Sequence, residues 1–511
     1  MGQKNYPFYK VRRITTLQEL VGFRAEETGS EVVFRYKEEG ELREVTYAQL
    51  RIETEAVGAV LYGKGYHDGI KMGILGENSY EWLLAFFAIT GGGNVAVPLD
   101  KELSVTMLDG LISDSGCQVL FYSDSYREVA EKIKGVYSGE LELVSLSSLK
   151  GLSGAEKKAE YRADTIQPED VAAIVYTSGT TGQSKGVVLT HGNLALDTYL
   201  ACRNILFAGD TILLLPLHHT FGLTAGVLVT MLYGHAVYIN KSLRNLAEDL
   251  QIAKPRTLFL VPLFVESVYK SVLVPAIEAG AGAKVFGGKL NMIVSGGAPL
   301  ARQYLEGYEE QGIQLINGYG ITECSPVVAV NRNDFDKTKD GSVGMVLEEI
   351  EVRVDEPDMQ GEGEICVKGP VVMQGYYHME QETADVIQDG WFHTGDIGYV
   401  DEDNFLFITG RKKNLIILEN GENISPEALE QRVQEIQLVR EVVVYGENGH
   451  LVAEIYPDDM YQEEQGISDI YQELKQQINE LNKVLPSYQN IREVRIRDTE
   501  FPKTTTKKIK R

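Results

Sequence analysis

Residues 176–191 read Tyr-Thr-Ser-Gly-Thr-Thr-Gly-Gln-Ser-Lys-Gly-Val-Val-Leu-Thr-His. An apolar run, Ala-Ala-Ile-Val-Tyr-Thr-Ser at 172–178, leads straight into this stretch, so it opens at the end of a buried strand. Thr177, Ser178, Gly179, Thr180, Thr181 and Gly182 are all glycine or hydroxyl residues, and Lys185 follows. Glycines let backbone N–H groups converge on an anion, hydroxyls add donors, and the lysine supplies charge. That composition suits a phosphate. A Walker loop needs Gly before its Lys and Ser or Thr after it, whereas Ser184 and Gly186 flank Lys185. A flexible Gly/Ser linker is the plain rival, and a buried strand running into the segment argues against it.

Outward from this loop, short apolar runs alternate with helical patterns. Strands are expected at 71–77, 94–100, 118–124, 211–217, 235–240, 257–263 and 292–297, and helices at 79–90, 105–115 and 301–311. Strand, helix, strand at this spacing predicts parallel sheets covered by helices, with ligands at the C-terminal ends of strands. Two more Gly-rich segments sit at such ends, 295–299 and 318–323. From residue 341 to 410 the pattern becomes short, alternating and Gly-rich, which predicts a small antiparallel β-subdomain. The remainder alternates helices (426–434, 469–483) with strands (441–445, 452–455, 494–497). The expected fold is therefore α/β: a large N-terminal domain (1–410) of parallel-sheet α/β subdomains plus a small β-barrel-like subdomain at about 341–410. A hinge at 411–413 then joins it to a small α+β C-terminal domain at 414–511.

Composition narrows the function. The chain has 511 residues, 49 Lys and Arg against 74 Asp and Glu, and a net charge of −25. Such a chain is a poor general binder of nucleic acid or anionic membrane. Its four cysteines, Cys117, Cys202, Cys324 and Cys366, are scattered without the clustering that zinc requires, which fits a reducing compartment. Position 6 is Tyr6, so Met1-Gly2 does not complete a myristoylation signal, and no apolar signal core or membrane-length run is present. A cytoplasmic location is the expectation.

Further motifs follow in order: His218-His219-Thr220-Phe221-Gly222, Ser295-Gly-Gly297-Ala298-Pro299, Asn317-Gly318-Tyr319-Gly320-Ile321-Thr322-Glu323, Gly363-Glu364 and Gly375-Tyr376. Then come Trp391-Phe-His-Thr-Gly-Asp396, Gly410-Arg411-Lys412-Lys413, Asn420-Gly-Glu-Asn-Ile-Ser-Pro-Glu427 and Pro502-Lys503-Thr-Thr-Thr-Lys507-Lys508-Ile509. With the phosphate loop, this series resembles the adenylate-forming superfamily of acyl- and aryl-CoA synthetases, luciferases and peptide-synthetase adenylation domains. The overall pattern looks most like bacterial fatty-acyl-CoA synthetases.

The resemblance implies a role for each matched position. Gly297, Ala298, Pro299, Asn317, Gly318, Tyr319 and Gly320 would frame the nucleotide, with the Tyr319 ring stacked on adenine. Thr322 would donate to phosphate, and Glu323 would hold Mg²⁺, a hard cation that prefers carboxylate oxygen. Asp396 would accept the ribose hydroxyls and Arg411 would reach ribose and phosphate. His219 would line the carboxylate pocket, while His218 faces the core. Lys508 would bridge carboxylate and α-phosphate. Lys507 stands where a Gly is usual, so Lys503, Lys507 and Lys510 are rivals in the tail. Lys413 falls at the hinge position. Asn420 replaces the usual first Gly of its loop, and Asn tolerates positive φ better than other non-glycine residues.

The implied reaction has two halves. A carboxylate attacks the α-phosphorus of MgATP to give acyl-AMP and pyrophosphate, and a thiol then expels AMP. No general base is needed in the first, since the carboxylate is already a nucleophile. Positioning and charge neutralisation are the protein's task. If 222–232 is an α-helix, Gly222, Ala225 and Gly226 share one face, and with Phe221 they would border a groove for a medium- to long-chain acyl group. Close helix packing on the same small residues is the rival. Coenzyme A is the expected acceptor and an acyl carrier protein the alternative. The latter is acidic, so it would need a local basic patch such as Lys241, Arg244, Lys254 and Arg256. Acyl-AMP as the end product is a further alternative. A nucleotide-sensing relative that is no enzyme would be expected to have lost Lys508, Glu323 or Asp396, and all three are present.

Overall fold

The computed structural model describes residues 9–154, 165–178, 184–207, 209–297, 300, 302–333, 338–417, 423–447, 449–503 and 509, and the statements below concern these residues. Two sheets carry the larger part. The first has seven strands in the order Gly375–Tyr376, Ser184–Thr190, Val171–Ser178, Val95–Leu99, Lys71–Leu75, Val119–Tyr122 and Glu142–Ser145. Its members from Val171–Ser178 onward are parallel, and the first two are antiparallel additions. The second sheet has fourteen strands, whose parallel centre contains Gln314–Gly320, Met292–Gly296, Thr257–Leu260, Thr211–Leu213 and Val237–Ile239. The hairpin Val32–Glu38 and Glu41–Thr46 closes one end.

The helices between these sheets follow from their sequence. Tyr80–Gly91 starts where the Ser79 side chain accepts a hydrogen bond from the Trp82 N–H, and every one of its residues is buried. Its Leu83, Leu84, Phe86 and Phe87 are each at most 1 % exposed. Full burial of such a side chain contributes roughly 1.5–3 kcal/mol. One core cluster joins this helix with Val175 and Val187 of the seven-stranded sheet and Val294 and Ile316 of the fourteen-stranded one.

Most of the expected strands and helices stand where the apolar periodicity puts them. The strands expected within 341–410 form the antiparallel end of the large sheet: Gly344–Val346, Phe405–Arg411, Trp391–Val400, Gly363–Lys368 and Glu351–Asp355. On either side of the expected phosphate loop, Val171–Ser178 and Ser184–Thr190 pair antiparallel, Thr177 with Lys185 and Ser178 with Ser184. One feature differs. Phe221–Val229 is a π-helix, not an α-helix, and leads into Thr230–Leu232.

The C-terminal part has its own sheet, Val439–Glu447, His450–Pro457 and Ile491–Ile496, with helices Pro426–Val433 and Ile470–Val484. A separate core unites Leu429, Val433, Val442, Leu451 and Ile478. It touches the larger part where the Ser425 hydroxyl donates to the Thr409 carbonyl at 2.5 Å and Lys270 pairs with Asp458 at 3.2 Å. No described helix is long and apolar enough to cross a membrane.

Candidate active site

Two side-chain clusters form at the junction of the sheets. In the first, the Tyr319 hydroxyl donates to Asp396 Oδ2 at 2.5 Å, and Arg411 Nε lies 2.6 Å from Asp396 Oδ1. The fold makes this trio from distant segments. Tyr319 sits on Gln314–Gly320, while Asp396 and Arg411 are register partners on neighbouring antiparallel strands of the same sheet. The strand backbone just before Asp396 is held by Glu364. The Glu364 carboxylate accepts from the Gly395 N–H at 3.0 Å and pairs with Lys412 at 2.8 Å. Burial opposes the Glu364 charge, but Lys412 and then His393 outweigh it and keep the carboxyl below its ordinary pKa. Burial, and then the Asp396 charge, push the Tyr319 phenol well above its usual range, so it is a proton donor at neutral pH.

In the second cluster, Glu323 Oε1 accepts from the Tyr376 hydroxyl at 2.8 Å, and Lys185 Nζ lies 4.6 Å from the centre of the Tyr376 ring. Glu323 sits in the tight turn Thr322–Cys324, is only 8 % exposed, and has its pKa raised by burial. The close approach of Gly320 to this turn requires glycine, because a Cβ there would lie 2.5 Å from the Pro326 carbonyl oxygen. Tyr376 lies in the quoted Gly375-Tyr376 motif, to which the sequence reading gave no role.

The segment expected to border the acid is 215–222. The Asn78 amide clamps this segment, donating to the Leu215 carbonyl at 2.8 Å and accepting from the Leu217 N–H at 3.0 Å. Asn78 is a second residue the sequence reading missed, since a lone Asn after a strand carries no motif. His218 approaches Asp100 at 3.6 Å, and burial lowers its pKa, which favours a neutral ring. His219 lies beside it, with ring centres 4.8 Å apart, at the entrance to the π-helix. Phe221 reaches the Gly296 backbone: a Cβ there would be 3.9 Å from the ring tip.

The groove expected along Gly222, Ala225 and Gly226 needs correction. A Cβ on Gly222 would lie 2.3 Å from the Pro216 carbonyl oxygen, so that glycine serves close backbone packing. A Cβ on Gly226 would meet a Leu213 methyl at 3.0 Å, and Ala225 is buried in the main core. The π-helical repeat also removes the α-helical spacing on which the common face was argued.

Asn317 and Ser295 are register partners on neighbouring strands, and Asn317 Oδ1 and Ser295 Oγ are buried without a hydrogen-bond partner. Gly318 shares the Asn317 strand, and Gly297 has φ +88°, the left-handed region that favours glycine. These orphaned acceptors and donors beside Tyr319 fit a polar heteroaromatic base, and the oxygen-only Glu323 fits a hard divalent cation. Gly179, Thr180, Thr181, Gly182, Ala298, Pro299, Lys507, Lys508, Lys510 and Asn420 lie outside the described residues. Of the rival tail lysines, Lys503 is engaged with Glu441 and, at 2.7 Å, with Glu500. Lys413 lies in the short turn Lys412–Asn414.

Despite the scattered cysteines, the fold brings donor atoms of Asp355, Cys366 and His393 within 4.8 Å of one another. Arg353, 3.7 Å from Asp355, and Lys412 on the adjoining Glu364 already supply positive charge there.

Residues 23–377 match the family described as AMP-binding enzyme, and residues 413–511 match the AMP-binding enzyme C-terminal domain. The long-chain-fatty-acid–CoA ligase FadD15 of Mycobacterium bovis is 29% identical over 476 residues, covering 81% of this chain and 77% of its own. A feruloyl-CoA synthase of Amycolatopsis is 32% identical over 402 residues, covering 76% and 78%. Among solved structures, the o-succinylbenzoate CoA synthetase (MenE) of Bacillus subtilis, in complex with the acyl-adenylate OSB-AMP, superposes with a TM-score of 0.79. It is 25% identical and the match covers 96% of each chain.

Proposed function

Because the chain belongs to the AMP-binding enzyme family, we propose that it is an AMP-forming acid–CoA ligase whose acid is a medium- to long-chain fatty acid. The observation that carries the ligase reading is the adjacency of the Tyr319–Asp396–Arg411 trio to the Glu323–Tyr376–Lys185 cluster. One cluster offers a ring face and a carboxylate with spare lone pairs to a nucleoside. The other offers a cation-binding acid and a lysine to its phosphates.

In this reading Tyr319 seats the base, Asp396 holds the ribose hydroxyls, and Arg411 pairs with that carboxylate and aims it. Lys185 and the Thr177–Gly182 loop draw the β- and γ-phosphates away from the α-phosphorus, and Thr322 adds a hydroxyl donor. Glu323 is the residue that would hold Mg²⁺, which when bound neutralises phosphate charge. His219 and Phe221 border the carboxylate, and Lys508 bridges it to the α-phosphate. A turn about Lys413 then withdraws Lys508 so that the CoA thiol reaches the acyl-AMP carbonyl. The engagement of Lys503 with Glu441 and Glu500 supports Lys508 over that rival.

The fatty-acid reading draws on similarity to FadD15 and on residues 216–221 around His219, which contain no Asp, Glu, Lys or Arg to pair with a second charged group on the acid. Feruloyl and succinylbenzoyl acids, the substrates named for the other two relatives, are the competing classes. The test is pyrophosphate release across saturated C2–C18 acids, ferulate and 2-succinylbenzoate, each with CoA, with an acyl carrier protein, or with no acceptor. Fatty acids with CoA should give the highest kcat/KM. Preference for an aromatic acid would overturn the substrate, and transfer only to the carrier protein would overturn the acceptor. Lys508→Ala should slow acyl-AMP formation by about 10²–10³ while sparing thioester formation from presynthesised acyl-AMP.

A further inference from the structure

Tyr376 makes two different contacts in the site at once. Its hydroxyl donates to Glu323 at 2.8 Å, and its ring face carries the Lys185 ammonium at 4.6 Å. The backbone around it is fixed on three sides. Gly375 and Tyr376 pair with Val188 and Val187 on the strand that returns from the phosphate loop, and the Tyr377 N–H donates to the Gly186 carbonyl at 2.7 Å. Three residues earlier, the Met373 N–H donates to the carbonyl of Glu323 itself at 2.8 Å. On the other side, the Tyr376 N–H donates to the Thr383 hydroxyl at 2.8 Å. Gly375 allows this course: its φ is +153°, and a Cβ there would lie 2.7 Å from the Thr383 methyl.

We propose that Tyr376 is a positioning residue that couples two charged groups of the site, its hydroxyl aiming the Glu323 carboxylate and its ring holding the Lys185 ammonium. The assignment rests on the reading of Glu323 as the cation-facing acid and Lys185 as the phosphate-facing lysine. The geometry makes the two functions separable. Phenylalanine keeps the ring and loses only the hydroxyl, whereas leucine loses both. Burial and then the Glu323 charge raise the Tyr376 phenol far above its ordinary pKa, so it remains a donor throughout the working pH range.

The experiment is equilibrium binding of ATP to the full chain by calorimetry, once in EDTA and once in saturating Mg²⁺, with a melting temperature for every variant. In Tyr376→Phe the affinity in EDTA should stay within twofold, while the gain on adding Mg²⁺ should shrink about tenfold, the scale of a hydrogen bond to a charged group. In Tyr376→Leu the affinity in EDTA should also fall about two- to fivefold, the scale of an exposed cation–π contact. Each effect should vanish in the matching background: the first in Glu323→Gln, the second in Lys185→Ala. A merely structural tyrosine would lower both affinities and the melting temperature together, whatever the background, and that result would overturn the proposal. So would a Tyr376→Phe variant that keeps the full Mg²⁺ gain while Glu323→Gln loses it. If the unaltered chain shows no Mg²⁺ gain, or none is lost in Glu323→Gln, the reading of Glu323 fails first and the coupling fails with it.

Discussion

Replacing Asp396 by Asn tests the nucleoside seat with almost no change of shape. The carboxylate is 5% exposed, and each oxygen already serves one donor, Arg411 Nε at 2.6 Å and the Tyr319 hydroxyl. Each oxygen keeps a second acceptor site, enough for one ribose hydroxyl apiece. An amide has a single oxygen, so either Arg411 or Tyr319 must face an NH₂ group. A stranded donor costs about 1–3 kcal/mol, and the lost ion pair adds at most about 1 because Arg411 is 39% exposed and partly hydrated. The nucleotide loses more. Hydrogen bonds to a charged acceptor are worth about 1.5–3 kcal/mol against about 0.5–1.5 for neutral ones, so two hydroxyls forfeit about 2–3 kcal/mol. AMP should therefore bind Asp396→Asn about 30- to 150-fold more weakly. The assay is calorimetric titration of AMP, 2′-deoxy-AMP and 3′-deoxy-AMP into both proteins. The unaltered chain should discriminate against each deoxynucleotide about 10- to 150-fold, and the variant only about 2- to 10-fold. AMP affinity within threefold, or unchanged discrimination in the variant, would refute the placement of the ribose on Asp396.

Gly222→Ala forces a Cβ to within 2.3 Å of a backbone oxygen, so it should cost about 1–3 kcal/mol and lower kcat/KM equally for short and long acids. A loss confined to long chains, seen in the same acid panel, would return Gly222 to an acyl groove. His191 is fully buried, and burial lowers its pKa from 6.5 to about 4, against the opposing charge of Asp170. The folded chain thus resists protonation that the unfolded chain accepts. This contribution is complete above about pH 6.5 and is lost as pH falls toward 4, by up to about 3 kcal/mol. Urea midpoints at pH 7.5 and 4.5 should separate less in His191→Gln than in the unaltered chain, and equal separations would show that His191 does not drive the acid sensitivity.

The strands were readable because fully buried parallel strands are written as uninterrupted apolar runs, as at 71–77 and 292–297. The Tyr319–Asp396–Arg411 trio was readable for a different reason: each member lies in a Gly-marked motif, and motif order survives even though 77 residues separate Tyr319 from Asp396. Tyr376 stood in a quoted motif, Gly375-Tyr376, without a role, because its contacts with Glu323 and Lys185 arise from its strand joining the edge of the other sheet, a choice of partner that periodicity does not encode. The Gly222 face was misread because apolar spacing alone does not separate a π-helix from an α-helix. The deciding contact is the Pro216 carbonyl, fixed in turn by the Asn78 clamp on 215–217.

The strand Gly375–Tyr376 also imposes an order of events during synthesis. Its partner, Ser184–Thr190, leaves the ribosome roughly 190 residues earlier, carrying Val187 and Leu189 toward the core. At about 5–20 residues per second, that edge waits about 10–40 s for the segment that covers it. Throughout the interval the nascent chain presents an unpaired, apolar edge of the sort that recruits other strands. The piece that carries Tyr376 is thus also the piece that ends the exposure, so a chain broken off before residue 375 would remain prone to aggregation.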